Sequence, residues 1–295
     1  MGNKVVVRIQ WWLWNQMFQY AYAYALSKRN WSKFLLDIST FERYKVRKNQ
    51  LSDFDVIPPY ADKKDIPFYE RLDFFHKNRL LPRVIKSISW RLNPNDYRET
   101  SKWFDSKLAE IKKWYITWYF QSEKYFKDYE DGVRKIFAFS DKTKKKVKSF
   151  IADRHIDVDD FVAISVRRWD FWEEKNHYLI PIERYLWAYE KYFLGKKLIF
   201  FSDDINWCRE NFGKLSQKYP KMEFVEGMSA VEWLSLMVRF KNFIISNSTF
   251  SWRWAYLSDY KKKIVVRPDL EFDRRVKWRD YCRDHYPEER IPFKW

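Results

Sequence analysis

Two adjacent arginines and an aspartate follow an apolar segment near the middle of the chain. The segment FVAISV (161–166) has the composition of a buried strand, and Arg167, Arg168 and Asp170 come directly after it. Arginine forms bidentate hydrogen bonds with phosphate oxygens, and a neighbouring carboxylate can orient an arginine or accept a proton. These residue types indicate a phosphate-binding or acid–base site, although an Arg–Asp surface pair fits the same pattern.

Paired carboxylates follow the next apolar segment. Asp203 and Asp204 come directly after KLIFFS (197–202). Carboxylates at the end of a strand accept hydrogen bonds from a ribose hydroxyl or a base, bind a metal ion, or cap the next helix. The sequence leaves these alternatives open, and no further acidic residues complete a metal-binding pattern.

A mostly polar run begins at the last residue of NFIIS (242–246) and leads into a predicted helix. The run consists of Ser246, Asn247, Ser248, Thr249, Phe250 and Ser251. Hydroxyls and free backbone N–H groups at the positive end of a helix bind anions. Ordinary N-capping by Ser248 or Thr249 explains the same residues.

The segments around these residues alternate between strand and helix patterns. The chain opens with a predicted βαβ unit: strand 5–9, helix 15–29 and strand 33–38. The C-terminal half predicts strands at 161–166, 197–202, 221–226, 242–246 and 263–267, with helices at 182–193, 205–212, 229–240 and 248–258. Such alternation predicts a parallel, doubly wound sheet, which binds ligands outside the carboxyl ends of its strands. The three polar groups are therefore expected on one rim, a set that suits a sugar nucleotide.

The chain resembles the bacterial α-1,2-fucosyltransferases, a family shared with the blood-group H enzymes. Four ordered motifs carry the resemblance: WWLWNQMFQYA (11–21) for GGLGNQMFQYA, SVRRWDF (165–171) for HxRRGDY, FSDDINWC (201–208) for FSDDIxWC, and ISNSTFSWRWAYL (245–257) for ISNSTFSWWxAxL. The resemblance extends over residues 4–267, which is most of the chain.

The resemblance implies a fold and a reaction. The expected fold is α/β and GT-B-like, with two Rossmann-like halves: an N-terminal acceptor-side domain (1–140) and a C-terminal GDP-fucose-binding domain (141–295) with a parallel sheet. The expected reaction moves L-fucose from GDP-β-L-fucose to the 2-hydroxyl of a galactoside, with inversion and with no cofactor or obligatory metal. Another sugar nucleotide or another linkage on the same fold remains an alternative.

The resemblance also implies roles for single residues. Arg167 and Arg168 would hold the diphosphate and stabilise the leaving GDP, and Asp170 would be the catalytic base or would position the arginines. Asp203 and Asp204 would lie near the nucleoside. The run 246–251 would line the phosphate and the fucose. From the N-terminal domain Asn15, Gln16 and Gln19 would face the cleft.

Tryptophan stands where the motifs lead us to expect glycine or another small residue. The positions are Trp11, Trp12, Trp14, Trp118, Trp169 and Trp254. The chain has 5 Gly and 17 Trp in 295 residues, whereas glycine is usually about 7% of a protein. One interpretation is a gene in which UGA encodes glycine but is read as tryptophan. In the other, the tryptophans block the cleft, and the chain is an inactive transferase-fold scaffold or a polyanion-binding protein.

The overall charge and composition limit the partners and the location. The formal net charge of +17 attracts polyanions; lysine clusters at 142–148 and 260–267 fit either a solvated face or contact with an anionic membrane. We expect no specific nucleic-acid binding, because no RNA-binding or zinc-finger pattern is present. The two cysteines form no disulfide framework. Without an apolar run of transmembrane length or a signal peptide, we expect a cytoplasmic enzyme, with peripheral contact at the inner membrane face as an option.

Overall fold

The computed structural model describes residues 4–43, 48–71, 88, 96–98, 104–112, 114–168, 179–219, 221–247, 257–258, 260, 262–268 and 291–293. Contacts divide the chain into two units, Met1–Ala138 and Phe139–Trp295. Each unit contains its own parallel sheet.

The first unit is built on a sheet with the strand order β2-β1-β4-β3. Its strands are β1 (Lys4–Arg8), β2 (Lys33–Asp37), β3 (Asp96–Arg98) and β4 (Tyr115–Thr117). Its helices are α1 (Leu13–Arg29), α2 (Ser39–Arg43), α3 (Phe68–Arg71), α4 (Ser106–Ala109) and α5 (Glu130–Ile136). Strand β3 was not predicted, because the sequence DYR carries no apolar run and β3 pairs only at the edge of the sheet, against β4.

The second unit is built on a sheet with the strand order β10-β9-β8-β5-β6-β7. Its strands are β5 (Phe161–Val166), β6 (Lys197–Ser202), β7 (Met222–Phe224), β8 (Asn242–Ile244), β9 (Ile264–Pro268) and β10 (Ile291–Phe293). Its helices are α6 (Asp141–Asp153), α7 (Ile182–Tyr192), α8 (Ile205–Gly213) and α9 (Ala230–Met237). Counted within the unit, this is the order 3-2-1-4-5-6 of a doubly wound nucleotide-binding sheet, whose direction reverses between β5 and β8. The predicted parallel sheet of the C-terminal half is confirmed.

Strand β5, whose carboxyl end carries the arginines, lies buried at the centre of this sheet. All six residues of β5 are buried, as expected for a parallel strand covered on both faces. Helix α7 presents Tyr185, Ala188 and Tyr189 to the same core. The loops that leave this sheet therefore start from rigid positions.

One predicted helix begins earlier in the structure than in the sequence-based prediction, and another lies almost wholly outside the described residues. Helix α1 begins at Leu13, two residues before the predicted start at Asn15, because the Trp12 carbonyl accepts hydrogen bonds from the backbone N–H groups of Asn15 and Gln16. The predicted helix 248–258 lies outside the described residues except at 257–258.

The end of α1 shows a tryptophan in a backbone conformation that favours glycine. Trp31 has φ 49° and its side chain is 94% exposed. The N–H of Trp31 donates to the Lys28 carbonyl at 3.4 Å, and the N–H of Ser32 donates to the Ser27 carbonyl at 2.9 Å. This pair of bonds is the Schellman helix end, in which the left-handed residue is usually glycine.

We expect Trp31→Gly to stabilise the protein by about 0.5–1 kcal/mol. The left-handed conformation costs a side-chain-bearing residue roughly 1–2 kcal/mol, and glycine returns about 0.5–1 kcal/mol of this as unfolded-state entropy. Chemical denaturation measures the difference. The control is Trp31→Ala, which removes the same exposed ring but keeps the Cβ atom. Equal stability of the two variants would contradict the explanation.

Candidate functional site

One carboxylate joins the two arginines that follow β5. Nε of Arg167 lies 3.2 Å from Oδ2 of Asp203, and the two side chains are 13% and 17% exposed. The backbone N–H of Arg168 donates to Oδ1 of the same carboxylate at 2.9 Å. Asp203 therefore ties the loop after β5 to the end of the neighbouring strand β6, and the sequence had not identified this link.

The second aspartate caps the helix that follows β6. Oδ1 of Asp204 accepts a hydrogen bond from the backbone N–H of Trp207 at 3.1 Å, and the N–H of Asp204 donates to Oγ of Ser202 at 3.0 Å. The structure thus supplies the helix-capping role for Asp204 among the alternatives that the sequence left open.

A guanidinium group stacks on the aromatic ring placed by this cap. The Arg168 guanidinium carbon lies 3.7 Å from the centroid of the Trp207 ring. The same ring also contacts the core, because Trp207 and Phe212 meet edge to face with ring centroids 6.2 Å apart. The sequence alone does not indicate this pair, because Arg168 lies in the loop after β5 and Trp207 lies in the first turn of α8.

The point where the strand order reverses carries two buried hydroxyls. Oγ of Ser165, at the end of β5, lies 3.3 Å from Oγ of Ser246, which follows β8. The Ser246 and Asn247 residues are 1% and 2% exposed. These residues border the position at which doubly wound sheets bind their ligands. Other predicted site residues lie outside the described part of the chain: Trp169, Asp170, Ser248, Thr249, Phe250, Ser251 and Trp254.

Two neutral groups lie beneath this edge. Burial raises the pKa of the Cys208 thiol to about 12, and burial also raises the pKa of Tyr185 well above its ordinary value. Both groups keep their protons at neutral pH. The charges at this end of the sheet are therefore those of the arginines and aspartates.

A metal ion has no evident set of ligands in the described residues. Across them, no three or more His, Cys, Asp or Glu side chains are grouped so that they could hold one.

None of the helices in the described ranges is both long and apolar enough to cross a membrane.

Two buried glutamines hold the loop at the start of α1 in the first unit. The Gln16 amide donates to the carbonyls of Trp11 and Lys48, each at 2.9 Å. The Gln19 amide donates to the Trp118 carbonyl at 2.8 Å. Both glutamines are fully buried. Their described contacts are with the protein backbone, so they position the loop that the motif WWLWNQMFQYA forms.

Asn15 belongs to the same loop and has a side-chain partner. Its Oδ1 accepts a hydrogen bond from Nε2 of Gln121 at 2.7 Å, and the residue is 7% exposed. The three polar residues of this motif are thus brought to one end of α1, where each holds a neighbouring segment.

Two tryptophans at the motif positions have positive φ values, whereas Trp12 has an extended backbone and Trp14 lies within α1. Trp11 has φ 74° and Trp118 has φ 156°, and both values lie where side-chain-bearing residues are strained. Trp12 and Trp14 stack with ring centroids 6.2 Å apart. Among the described residues, three of the five non-glycine residues with positive φ are tryptophans.

A buried polar network that the sequence did not predict lies at the carboxyl edge of the first sheet. Arg8, at the end of β1, forms an ion pair with Glu70. The Tyr115 hydroxyl donates to Oδ2 of Asp37, at the end of β2, at 2.6 Å. Burial raises the pKa of Tyr115 well above its ordinary value, so the phenol stays protonated. This network fixes the loops at the end of the first sheet.

Two α/β units, each with its own parallel sheet and the second with a doubly wound strand order, agree with the GT-B-like fold class of glycosyltransferases. The family model of glycosyltransferase family 11 matches residues 4–286 of the chain. The chain belongs to this family.

Two sequence relatives agree with this assignment, and one solved structure shares the fold. An alpha-1,2-colitosyltransferase of Escherichia coli is 28% identical over 285 residues, covering 92% of this chain and 93% of the relative. The O-antigen biosynthesis glycosyltransferase WbnK of Escherichia coli is 29% identical over 282 residues, covering 87% and 91%. An Arabidopsis thaliana FUT1 variant solved with GDP has the same fold, with a TM-score of 0.54 at 14% identity, covering 100% of this chain and 77% of that one.

Proposed function

We propose that this glycosyltransferase moves L-fucose from GDP-β-L-fucose to the 2-hydroxyl of a galactoside and inverts the anomeric configuration. The observation that carries the proposal is the arginine pair held by Asp203 at the carboxyl end of β5. Two positive charges at this position suit a nucleoside diphosphate, and family membership supplies the reaction class.

The proposed mechanism follows from the charge that develops as the sugar leaves. Cleavage of the glycosyl–phosphate bond leaves negative charge on the diphosphate, and fixed cations stabilise that charge as it forms. Arg167 and Arg168 supply them. The acceptor hydroxyl must lose its proton to a base as it attacks the opposite face of the sugar. We assign this role to Asp170, which follows the arginines in the motif.

The test is a direct transfer assay with chemically defined donors. Purified protein is incubated with GDP-fucose and a β-galactoside, and NMR of the product identifies the linkage and the anomeric configuration. The expected product is an α-1,2-fucoside. The relative that is an α-1,2-colitosyltransferase makes a colitose donor the second candidate. Turnover with the colitose donor alone would replace fucose in the proposal, and absence of turnover and of GDP binding would favour the inactive scaffold.

A basic helix face supports a peripheral location at an anionic membrane, where acceptors for surface glycans are assembled. On α6 the side chains of Lys142, Lys144, Lys145 and Lys148 are exposed, and each lysine near an anionic surface contributes about 1 kcal/mol. We expect substitution of these four by glutamine to abolish sedimentation with phosphatidylglycerol vesicles while transfer to a soluble galactoside is unchanged. Equal sedimentation would leave the lysines as a solvated face.

The tryptophan positions form part of this proposal. We propose that the active protein carries glycine at 11, 12, 14, 118, 169 and 254, as a gene that reads UGA as glycine would specify. Support comes from the positive φ of Trp11 (74°) and of Trp118 (156°), because glycine adopts such values without strain. Mass spectrometry of the peptide across residues 11–14 from native protein is the direct measurement, and a tryptophan-containing peptide would refute the proposal.

A further inference from the structure

We propose that Trp207 is a positioning residue that holds the Arg168 guanidinium in the orientation needed to take the donor diphosphate, and that Asp203 and Asp204 set the register of this stacked pair. The inference rests on the proposed function and changes the roles within it. The two aspartates, which the family resemblance would place near the nucleoside, act through protein groups.

The first support is that adjacent residues hold the backbones of both partners. Asp203 accepts the N–H of Arg168 at 2.9 Å, and Asp204 accepts the N–H of Trp207 at 3.1 Å. The bond from the Asp204 N–H to Ser202, at 3.0 Å, fixes the turn that joins the two carboxylates. The SDD sequence therefore sets where the loop after β5 meets the first turn of α8.

The second support is the geometry of the stack. A guanidinium that lies 3.7 Å from a ring centroid uses its flat face for this contact, and its N–H donors point outward in its plane. Bidentate recognition of a phosphate uses those edges. Stacking on Trp207 is therefore compatible with phosphate binding and restricts the arginine before the ligand arrives.

The third support is that the ring itself cannot shift easily. Trp207 meets the fully buried Phe212 edge to face, at 82°, and its carbonyl accepts the Asn211 side chain at 2.8 Å. Immobilising a long side chain on binding costs conformational entropy. A prearranged Arg168 avoids most of that cost.

The test compares Trp207→Leu, Trp207→Phe and a control, Trp187→Leu. Trp187 packs partly buried against the same core and has a lysine over its ring, Lys191 at 4.8 Å. We expect GDP to bind about fivefold to tenfold more weakly to Trp207→Leu, since the variant loses the cation–π contact that holds Arg168. Trp207→Phe restores most of the affinity, and Trp187→Leu changes it less than about twofold.

A double-mutant cycle separates positioning from general loss of structure. In an Arg168→Ala background, Trp207→Leu should weaken GDP binding no further, because the residue acts through the arginine. Equal effects of Trp207→Leu in both backgrounds, or an equal loss in Trp187→Leu, would overturn the inference. Circular dichroism checks that each variant is folded.

A second readout does not depend on the proposed function. In protein labelled with ¹³C-arginine, the Arg168 side-chain protons should show an upfield ring-current shift that Trp207→Leu removes, and Arg168→Lys assigns the signal by its loss. Absence of the shift would refute the stack even if GDP binds. If the shift is present and GDP fails to bind to any form, the proposed function fails and the stack stands.

Discussion

Arg168→Ala is expected to lower kcat by at least about a hundredfold, since removal of one group that stabilises developing negative charge costs this much or more. The loss should exceed any change in the KM for the acceptor, because the arginine is assigned to the leaving diphosphate. Isothermal titration should show weaker GDP binding by about tenfold or more, as expected when a charge-assisted hydrogen bond is removed. Steady-state kinetics with the preferred donor measures the effect on the reaction.

The matched control for this variant is Arg154→Ala. Like Arg168, Arg154 lies over an aromatic ring, with Phe150 at 4.6 Å, and its side chain pairs with Glu223 at 3.1 Å. Arg154 lies at the C-terminal end of α6, and its replacement by alanine removes one positive charge from the second unit, as Arg168→Ala does. We expect its kcat to stay within about twofold of the parent. Equal losses in the two variants would show that net charge, not the placement of Arg168, governs the reaction.

Replacing Trp11, Trp12, Trp14 and Trp169 together by glycine is expected to have the second large effect. Small residues at these positions let the backbone approach a diphosphate closely, and glycine adopts the φ of 74° at position 11 without strain. We expect GDP-fucose turnover in the glycine form to exceed turnover in the tryptophan form by at least about a hundredfold. Transfer assays on the two purified forms measure the ratio.

Trp31→Gly serves as the control for the restored loop. Position 31 shares the left-handed backbone but lies at the exposed end of α1, where it caps the helix. This variant should gain stability and show no gain in turnover. Equal turnover of the loop variant and the tryptophan form would refute the requirement for small residues and would show that the indole rings leave the site open.

The sequence predicted the elements that local patterns encode. The fully apolar segment 161–166 became the central strand β5, and the alternation that follows it became the doubly wound sheet. The ends of those strands placed Arg167, Arg168 and Asp203 together, because parallel strands share one carboxyl edge. For these residues the position along the chain was enough to predict that they lie at the same edge of the sheet.

The contacts that the sequence did not predict depend on side chains from elements that are distant along the chain. The stack of Arg168 on Trp207 joins the loop after β5 to the first turn of α8, and the ion pair of Arg8 with Glu70 joins residues 62 apart. Neither pair has a periodic signal. Asp203 was identified as a site residue, but its binding of both arginines follows only from the pairing of β5 with β6.

The hydrogen bonds from Gln16 and Gln19 have a consequence for how the protein should be produced. Both amides donate to main-chain carbonyls, those of Trp11 and Trp118. These hydrogen bonds therefore do not depend on the side chain at either position. Protein with tryptophan and protein with glycine at these two positions would keep the same two hydrogen bonds. Good yield of recombinant protein therefore does not show which residue the native protein carries at these positions. Peptides from the original cells have to be sequenced to identify it.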